Sequence, residues 1–224
     1  MRSISTSYIE PSGPPAGAPA RVQGELRNGY RPRLTTLERS REIRETAARF
    51  IAGQGLWRFS MLALARHLNC LLPTLCYYYK KREELIADIA FRHIDHLRTR
   101  TDLAMADVQD EKPDAAINAF AREYLLTVLA EPDFHHLMLQ YPGLAGPDGG
   151  RTFVARHEAL RAGLERRLMA CAPGLEGKPE TANALSHAML DTLNGASAWM
   201  QPYGPVKPVT YAAMITAWVL EQAR

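Results

Sequence analysis

Hydroxyl, aromatic and cationic side chains are concentrated between residues 60 and 82. Three adjacent tyrosines, Tyr77 to Tyr79, are followed directly by three adjacent cations, Lys80 to Arg82. Hydroxyl groups and positive charges contact the phosphates and base edges of nucleic acids, so this segment is predicted to bind one. The alternative is a packed core beside an incidental basic turn. The candidate contact residues are Ser60, Pro73, Thr74, Tyr77, Tyr78, Lys80, Lys81 and Arg82.

Two short helices are predicted to position these side chains. Ser60 is a suitable N-cap for the first helix, on which Leu64 and Leu68 recur at helical spacing. The second helix is predicted across Thr74–Tyr79, with Pro73 in its first turn, where a missing N–H has little effect. Two short helices joined by a tight turn are typical of a helix-turn-helix, whose second helix enters the major groove of DNA.

The charge distribution along the chain favours the same partner. Residues 21–100 contain 16 Lys and Arg against 8 Asp and Glu, a net charge of +8. Residues 101–224 contain 10 against 15, a net charge of −5, although the whole chain carries only +3. A basic first part and an acidic second part indicate that the first part meets a polyanion.

Helical periodicity extends through most of the chain, without a convincing strand pattern or an internal repeat. Residues 1–33, rich in Pro, Gly and Arg, are predicted to form a disordered basic tail. Thr35 and Glu38 then fit a capping box at the start of a helix that ends by Gly55. Further helices are expected from Arg82 to about Val108, Pro113 to about Ala130, Pro132 through Leu139, and at about 151–171, 180–200 and 208–223, with a Pro/Gly loop at 142–150.

Residues 37–85 resemble the DNA-binding domain of the TetR family of bacterial transcriptional regulators. In that family a helix ending near glycine precedes a Ser- or Thr-capped helix, a short turn, a Thr-Leu-Tyr segment, an aromatic pair and a basic turn before Glu-Leu. The residues of this chain that fall into that register without a gap are Gly55, Ser60, Leu64, Ala65, Leu68, Pro73, Thr74, Leu75, Tyr79, Lys80, Arg82, Glu84 and Leu85.

The resemblance implies an all-α fold: an N-terminal three-helix helix-turn-helix domain at 34–82 and a larger C-terminal helical domain for ligand binding and dimerisation at 83–224. It implies a homodimer that binds palindromic double-stranded operator DNA, acts as a repressor and is released by a small-molecule effector. Thr74 and Tyr78 match positions that commonly touch DNA. Arg82 matches a basic position that grips a phosphate at the start of the fourth helix, which transmits the effector signal.

Four positions depart from the family pattern. Asn69 replaces the usual turn glycine, and Leu71 replaces the usual Ser-type cap of the recognition helix. Cys76 replaces a tyrosine that meets a phosphate, and Leu62 replaces a polar DNA-contacting residue. Asn still adopts a left-handed conformation, whereas each lost phosphate contact weakens binding to all sequences alike. These departures leave open an alternative: a helical ligand-binding or adaptor protein with weakened or lost DNA binding.

The C-terminal part contains many Met and aromatic residues, which form adaptable apolar pockets. A hydrophobic or aromatic effector is therefore expected, although plain core packing is the alternative reading of each residue. In tetracycline-responsive members a histidine lies near the position of Arg98, so the sequence does not support tetracycline–magnesium as the effector. The candidate ligand-binding residues are His93, His96, Tyr124, Met138, Met189 and Trp199.

The two last helices are candidates for the dimer interface. In the helix at 180–200, small residues allow close approach and Leu185, Met189 and Leu193 supply apolar area. In the helix at 208–223, the residues Tyr211, Ile215, Trp218 and Val219 share a broad face. The alternative is that both faces pack inside one subunit.

No nucleophile elbow, phosphate-binding loop or metal-ligand spacing is present in the sequence, so neither catalysis nor a metal nor a cofactor is expected. His93 and His96 share a helix face, but no Cys or carboxylate completes a recognisable ligand set. No apolar run is long enough to cross a membrane and no signal core is present. Three cysteines without a disulfide or zinc spacing favour free thiols in a reducing cytoplasm.

Overall fold

A computed structural model of the chain describes residues 35–108, 113–201 and 203–224. The α-helices in these residues are α1 (Thr36–Gln54), α2 (Met61–His67), α3 (Leu72–Tyr78), α4 (Arg82–Asp107), α5 (Pro113–Ala130), α6 (Pro132–Gln140), α7 (Pro147–Cys171), α8 (Pro179–Ala196) and α9 (Pro208–Gln222). These described residues include no strand, so the predicted all-α class is confirmed. The predicted tail at 1–33 lies outside them.

Local capping signals set the ends of the first helices. Thr35 and Glu38 form the predicted capping box, in which the Glu38 carboxylate accepts from the Thr35 backbone N–H at 2.8 Å. α1 ends at Gly55, whose φ of 82° is a conformation that favours glycine. Proline occupies the first turn of α6, α7, α8 and α9, where its fixed φ suits the helix and its missing N–H has no partner to lose.

Two predicted boundaries were wrong. The segment 142–150 is not a continuous loop, because α7 begins at Pro147 and a short 3₁₀ turn occupies Tyr141–Gly143. The helix predicted at 180–200 ends at Ala196, where Ser197 Oγ donates to the Asn194 carbonyl at 2.6 Å. At Pro147 the glycines that follow were given too much weight, whereas Gly195 near the end of α8 was given too little.

The long helix α4 lies at the centre of the packing. It packs against α5, α6 and α7, and α5 packs in turn against α9. An apolar stripe on α4 is buried from Leu85 through Ile89, Ile94 and Leu97 to Met105. α1 packs mainly against α6 and less against α2 and α4, so the first helices are joined to the rest through α6 as well as through α4.

Residues Thr35–Arg224 cluster as one compact unit. Packing shows no separation between residues 82 and 83, so the predicted domain boundary there stays a prediction.

Candidate functional site

The turn between α2 and α3 has the geometry of a helix-turn-helix. Ser60 Oγ accepts from the Ala63 backbone N–H at 3.1 Å, so Ser60 caps α2 as predicted. The chain leaves α2 through Asn69, whose φ of 54° is left-handed, and Cys70 N–H donates to the Ala65 carbonyl at 2.9 Å. Asparagine tolerates this conformation because its short polar side chain bonds locally, so the left-handed turn forms here without a glycine.

The inward side of α3 is anchored to the neighbouring helices. Leu75 is buried in the core, and Tyr79 just after the helix is also buried. The Tyr79 hydroxyl donates to Asp88 of α4 at 2.7 Å and accepts from Arg44 of α1 at 3.2 Å. Burial raises the pKa of Tyr79, so it stays a neutral donor. These bonds fix the orientation of α3 relative to α1 and α4, a role that sequence reasoning missed.

The opposite side of α3 faces solvent. Pro73, Thr74 and Tyr77 are exposed, and Tyr77 is 79% accessible. Tyr78 is half-buried and packs edge-on against Tyr77, with ring centroids 5.3 Å apart. A hydroxyl-bearing helix face that stays open to solvent beside a tight turn is the arrangement that recognition helices present to the major groove.

Exposed cations follow α3 directly. Lys80 and Lys81 are exposed, and no carboxylate in the described residues pairs with either side chain. The nearby acid Glu84 is occupied instead by the backbone N–H groups of Lys80 and Lys81, at 2.8 and 3.3 Å. The two ammonium groups are therefore available to a partner outside the chain.

Arg82 has an intramolecular role that the sequence did not reveal. Its guanidinium donates to the Leu56 carbonyl at 2.7 Å and lies 5.8 Å from the centre of the Phe59 ring. The side chain is half-buried, and its Nε has no hydrogen-bond partner in the described residues. Arg82 thus ties the start of α4 to the α1–α2 connection, and its predicted phosphate contact remains a prediction.

The predicted ligand residues on α4 form a polar cluster with α6 and the residue before it. His93 Nδ1 and His96 Nδ1 lie 3.1 and 3.2 Å from the Glu131 carboxylate. His93 Nε2 lies 3.3 Å from His135 Nδ1. The hydrogen bond from His93 lowers the pKa of Glu131, and burial lowers the pKa of His135 to about 3. His93 is therefore held by side chains of this chain, as is His96, which remains exposed.

The remaining predicted ligand residues do not share one cavity. Tyr124 is fully buried, and its hydroxyl donates to Asn194 Oδ1 at 2.6 Å. Met138 and Met189 are buried in the core. Trp199 is half-exposed and packs edge-on against Tyr211, with ring centroids 5.2 Å apart. The structure thus places most of these residues in the packed interior, which is the alternative reading given above for each of them.

An apolar cleft lies between α5, α6 and the end of α8, next to the Tyr124–Asn194 hydrogen bond. Its volume is about 490 Å³. The Nδ2 group of Asn194 has no hydrogen bond within the part of the chain that the structure describes. The lining residues are Val128, Leu129, Pro132, His136, Leu139, Asn194, Gly195, Ser197, Ala198 and Met200.

The helices predicted for dimerisation bury much of their apolar surface inside the chain. Leu185, Met189 and Leu193 of α8 are buried, as are Ile215 and Val219 of α9. The large apolar side chains that these helices leave exposed belong to α9, namely Val209, Met214 and Trp218.

Comparisons with known proteins give matches only at the level of structure. No family model matches the chain, and no curated protein matches it either. No helix in the described residues is long and apolar enough to cross a membrane.

Solved structures of bacterial regulators superpose on most of the chain. A TetR-family transcriptional regulator from Bordetella parapertussis has a TM-score of 0.74 at 21% identity, with 81% of this chain and 94% of that chain covered. A tetR-family regulatory protein from Rhodococcus RHA1 has a TM-score of 0.72 at 16% identity, covering 82% and 96%. AibR in complex with isovaleryl coenzyme A and operator DNA has a TM-score of 0.68 at 21% identity, covering 81% and 97%.

Proposed function

We propose that this chain, which has the fold of the TetR-family transcriptional regulators, is a ligand-responsive repressor that binds operator DNA as a homodimer. The observation that carries the proposal is the exposed face of α3, followed directly by the exposed cations Lys80 and Lys81. A helix of this kind positions hydroxyl groups at base edges while adjacent lysines neutralise phosphates. The AibR complex supports both parts of the proposal, since that protein is bound to operator DNA and to isovaleryl coenzyme A.

A two-fold dimer follows from the way a recognition helix binds DNA. One α3 contacts only a few base pairs, whereas two copies about one DNA turn apart read two half-sites together. The exposed apolar residues Met214 and Trp218 on α9 offer a self-complementary contact. Replacing Trp218 by Glu is expected to shift the protein to monomers in sedimentation and to weaken operator binding. A variant that remains dimeric would place the interface elsewhere.

The effector is proposed to enter the cleft between α5, α6 and α8. Its volume of about 490 Å³ suits a small molecule, and its walls are apolar apart from a few groups such as Asn194 and His136. A hydrophobic or aromatic effector bearing one acceptor for Asn194 fits this lining.

Helix α6 provides a route from the cleft to the DNA-binding helices. It lines the cleft through His136 and Leu139, and it packs against both α1 and α4. An effector that binds more tightly when α6 is displaced will shift α1, and with it α3, away from the spacing that the operator requires. The contact between α1 and α6 adds a second path to the one through α4 that the sequence predicted.

Filling the cleft tests this route. Gly195 lines the cleft, and a Cβ added there meets no atom within 4 Å beyond its own helix, so we expect Gly195→Trp to be tolerated and to occupy part of the space. We expect the variant to lose the fluorescence enhancement of the apolar dye anilinonaphthalene sulfonate, while the matched variant Ala106→Trp on the exposed side of α4 keeps it. Equal dye binding by both variants would move the effector site out of this cleft.

The decisive test of DNA binding is the double variant Lys80→Ala/Lys81→Ala. Binding to DNA from upstream of the gene is measured by fluorescence anisotropy at several salt concentrations. Each lost phosphate contact lowers the slope of log affinity against log salt by about 0.9, so the four lost in a dimer lower it by roughly 3 to 4. The matched control is Lys178→Ala/Lys207→Ala, which removes two exposed lysines at the starts of α8 and α9. Equal effects of the two pairs would contradict the assigned interface.

A second candidate function is supported by exposed side chains on α2 and at the start of α3. Leu71 and Leu62 are exposed where the family has polar residues, and Leu71 makes no side-chain capping bond to α3. A helical ligand-binding or adaptor protein with weakened DNA binding has no need of these polar contacts. Wild-type affinity no higher than that of nonspecific duplexes, together with retained dye binding, would favour this candidate over the repressor.

A further inference from the structure

The recognition helix lacks the side chains that usually discriminate between bases by hydrogen bonding. Between Leu71 and Tyr79 the chain contains no Arg, Lys, Asn, Gln, Asp or Glu. These types supply the bidentate bonds to guanine and adenine and the acceptor for cytosine in the major groove. The exposed hydroxyl groups of Thr74 and Tyr77 bond to donors and acceptors alike, so they discriminate weakly.

An apolar side chain occupies the tip of the same helix. Leu71 is the N-cap of α3 and is 75% exposed. The N-terminal residues of a recognition helix are the ones that reach base edges. Leu62 on α2 is also exposed, at 47%, and Pro73 adds a further apolar surface on the outer side of α3.

Folding does not explain the leucine at position 71. Its φ of −74° and ψ of 144° are ordinary N-cap values, so Ser or Asp at this position would bond to the free N–H groups of α3. Leucine forgoes that bond and also remains outside the core. Its side chain therefore contributes to neither the capping nor the packing of α3, and it is available for contact with a partner.

We propose that Leu71 reads the C5 methyl groups of thymine, so that operator half-sites carry thymine at the base pairs facing the start of α3. The inference rests on the proposed DNA-binding function. Thymine is the one base that presents a methyl group in the major groove, and apolar contact with it is a recognised mode of discrimination. Lys80 and Lys81 hold the phosphates and set the register, and Leu71 covers the methyl group and excludes water from it.

Deoxyuridine tests the inference because its base, uracil, differs from thymine only by the methyl group. High-affinity duplexes are first selected from a random library, and each thymine of the preferred site is then replaced in turn by deoxyuridine. Burying one methyl group corresponds to a factor of about four in affinity, so replacement in both half-sites is expected to weaken binding roughly 16-fold. Replacement outside the base pairs facing α3 is expected to have no effect.

The variant Leu71→Ala tests whether Leu71 causes the sensitivity to deoxyuridine. It folds normally, since Leu71 is exposed and makes no capping bond, and it is expected to bind thymine and deoxyuridine duplexes equally. The matched control is Leu103→Ala, an exposed leucine near the end of α4, which keeps the 16-fold ratio predicted above for thymine against deoxyuridine.

Three outcomes overturn the inference, and they separate it from the function on which it rests. Failure of the library to yield any preferred duplex would overturn both the DNA-binding function and the inference. Sequence-specific binding that is insensitive to deoxyuridine would leave the function intact and overturn the inference alone. Sensitivity that persists in Leu71→Ala would overturn the assignment to Leu71.

Discussion

Charged side chains are used differently in residues 60–82 and in the helices from α5 to α9. Lys80 and Lys81 are exposed and have no acidic partner among the described residues. Arg161 of α7 is buried and donates to Glu158 at 2.9 Å, to Ser186 Oγ at 2.9 Å, and to Glu165. A buried charge needs partners because desolvation is costly, whereas an exposed charge does not. Within the described residues, the exposed cations are thus available to a partner, while the buried Arg161 maintains the fold.

Leucines show the same contrast. Leu64 and Leu75 are almost completely buried, whereas Leu62 and Leu71, a few residues away, are exposed. The buried pair holds α2 and α3 against the core, and the exposed pair is available for contact with another molecule. Within residues 60–82, some leucines thus stabilise the fold, while others a few positions away are exposed for contact.

The largest effect on stability is expected for Arg161→Ala. The change leaves Glu165 partly buried without its cation and Ser186 without its donor, so we expect unfolding to become easier by about 3 kcal/mol. Chemical denaturation measures this change. Arg166→Ala on the same helix and Arg66→Ala on α2 remove exposed arginines, and a loss below about 0.5 kcal/mol is expected for each. An equal loss in Arg66→Ala would contradict the contrast between the two regions.

The next largest effect is a pH dependence caused by His135. Burial lowers the pKa of His135 to about 3, whereas the unfolded chain titrates near the ordinary value of about 6.5. The unfolded state therefore binds more protons below about pH 6.5, and stability falls by up to about 1.4 kcal/mol per pH unit as the pH decreases.

Thermal denaturation between pH 6.5 and 4.5 isolates this contribution. The lowered pKa of Glu131 makes its carboxylate lose stabilisation only below about pH 4.5. His135→Leu is expected to flatten the dependence in this window, although the lowered pKa of His157 leaves a residual slope. His136→Leu removes an exposed neighbour that lowers the pKa of His135 less than burial does, so most of the slope should remain. An unaltered slope in His135→Leu would show that His135 is protonated in the folded chain.

A smaller effect is expected for Ser60→Ala. The Ser60 hydroxyl oxygen accepts from the Ala63 N–H, and loss of an N-cap of this type costs about 1 kcal/mol. Ser60→Asp retains the cap and should restore stability, but its negative charge should still weaken DNA binding. If Ser60→Asp bound DNA as well as wild type does, Ser60 would lie away from the phosphates.

The smallest effect has the opposite sign. Leu71→Ser supplies the N-cap that α3 lacks, and a gain of about 0.5 to 1 kcal/mol in the free energy of unfolding is expected. The same change removes the apolar contact, so sequence discrimination should fall as stability rises. A gain in stability without loss of discrimination would show that Leu71 does not contact the bases.

Local signals made much of the fold predictable. The Thr35–Glu38 capping box, the Ser60 cap and the left-handed Asn69 each involve residues at most three apart, and all three were confirmed. The start of α7 at Pro147 was missed, although the same first-turn proline was used correctly at Pro132. Two glycines, Gly149 and Gly150, follow Pro147 within the first turn and disfavour a helix locally. A Cβ at position 149 would lie 2.5 Å from the Tyr141 hydroxyl, a close approach that only the tertiary structure reveals.

The candidate site was predictable only in part. The exposed positions of Thr74 and Tyr77 follow from helical spacing against the buried Leu75. The partners of Arg82, Tyr79 and His93 could not be predicted, because those partners lie far along the chain. The Leu56 carbonyl, for example, is 26 residues from Arg82, and Glu131 is 38 residues from His93.

Local sequence was enough to predict most of the helices, the caps of α1 and α2 and the order of cations after α3, because these depend on neighbours within one or two turns. The tertiary structure alone decided that Tyr79 anchors α3, that α6 connects the cleft to α1, and that Leu71 remains outside the core. Burial and distant partners are set by how helices pack together. A single sequence specifies each helix locally, but it does not show which faces of those helices meet.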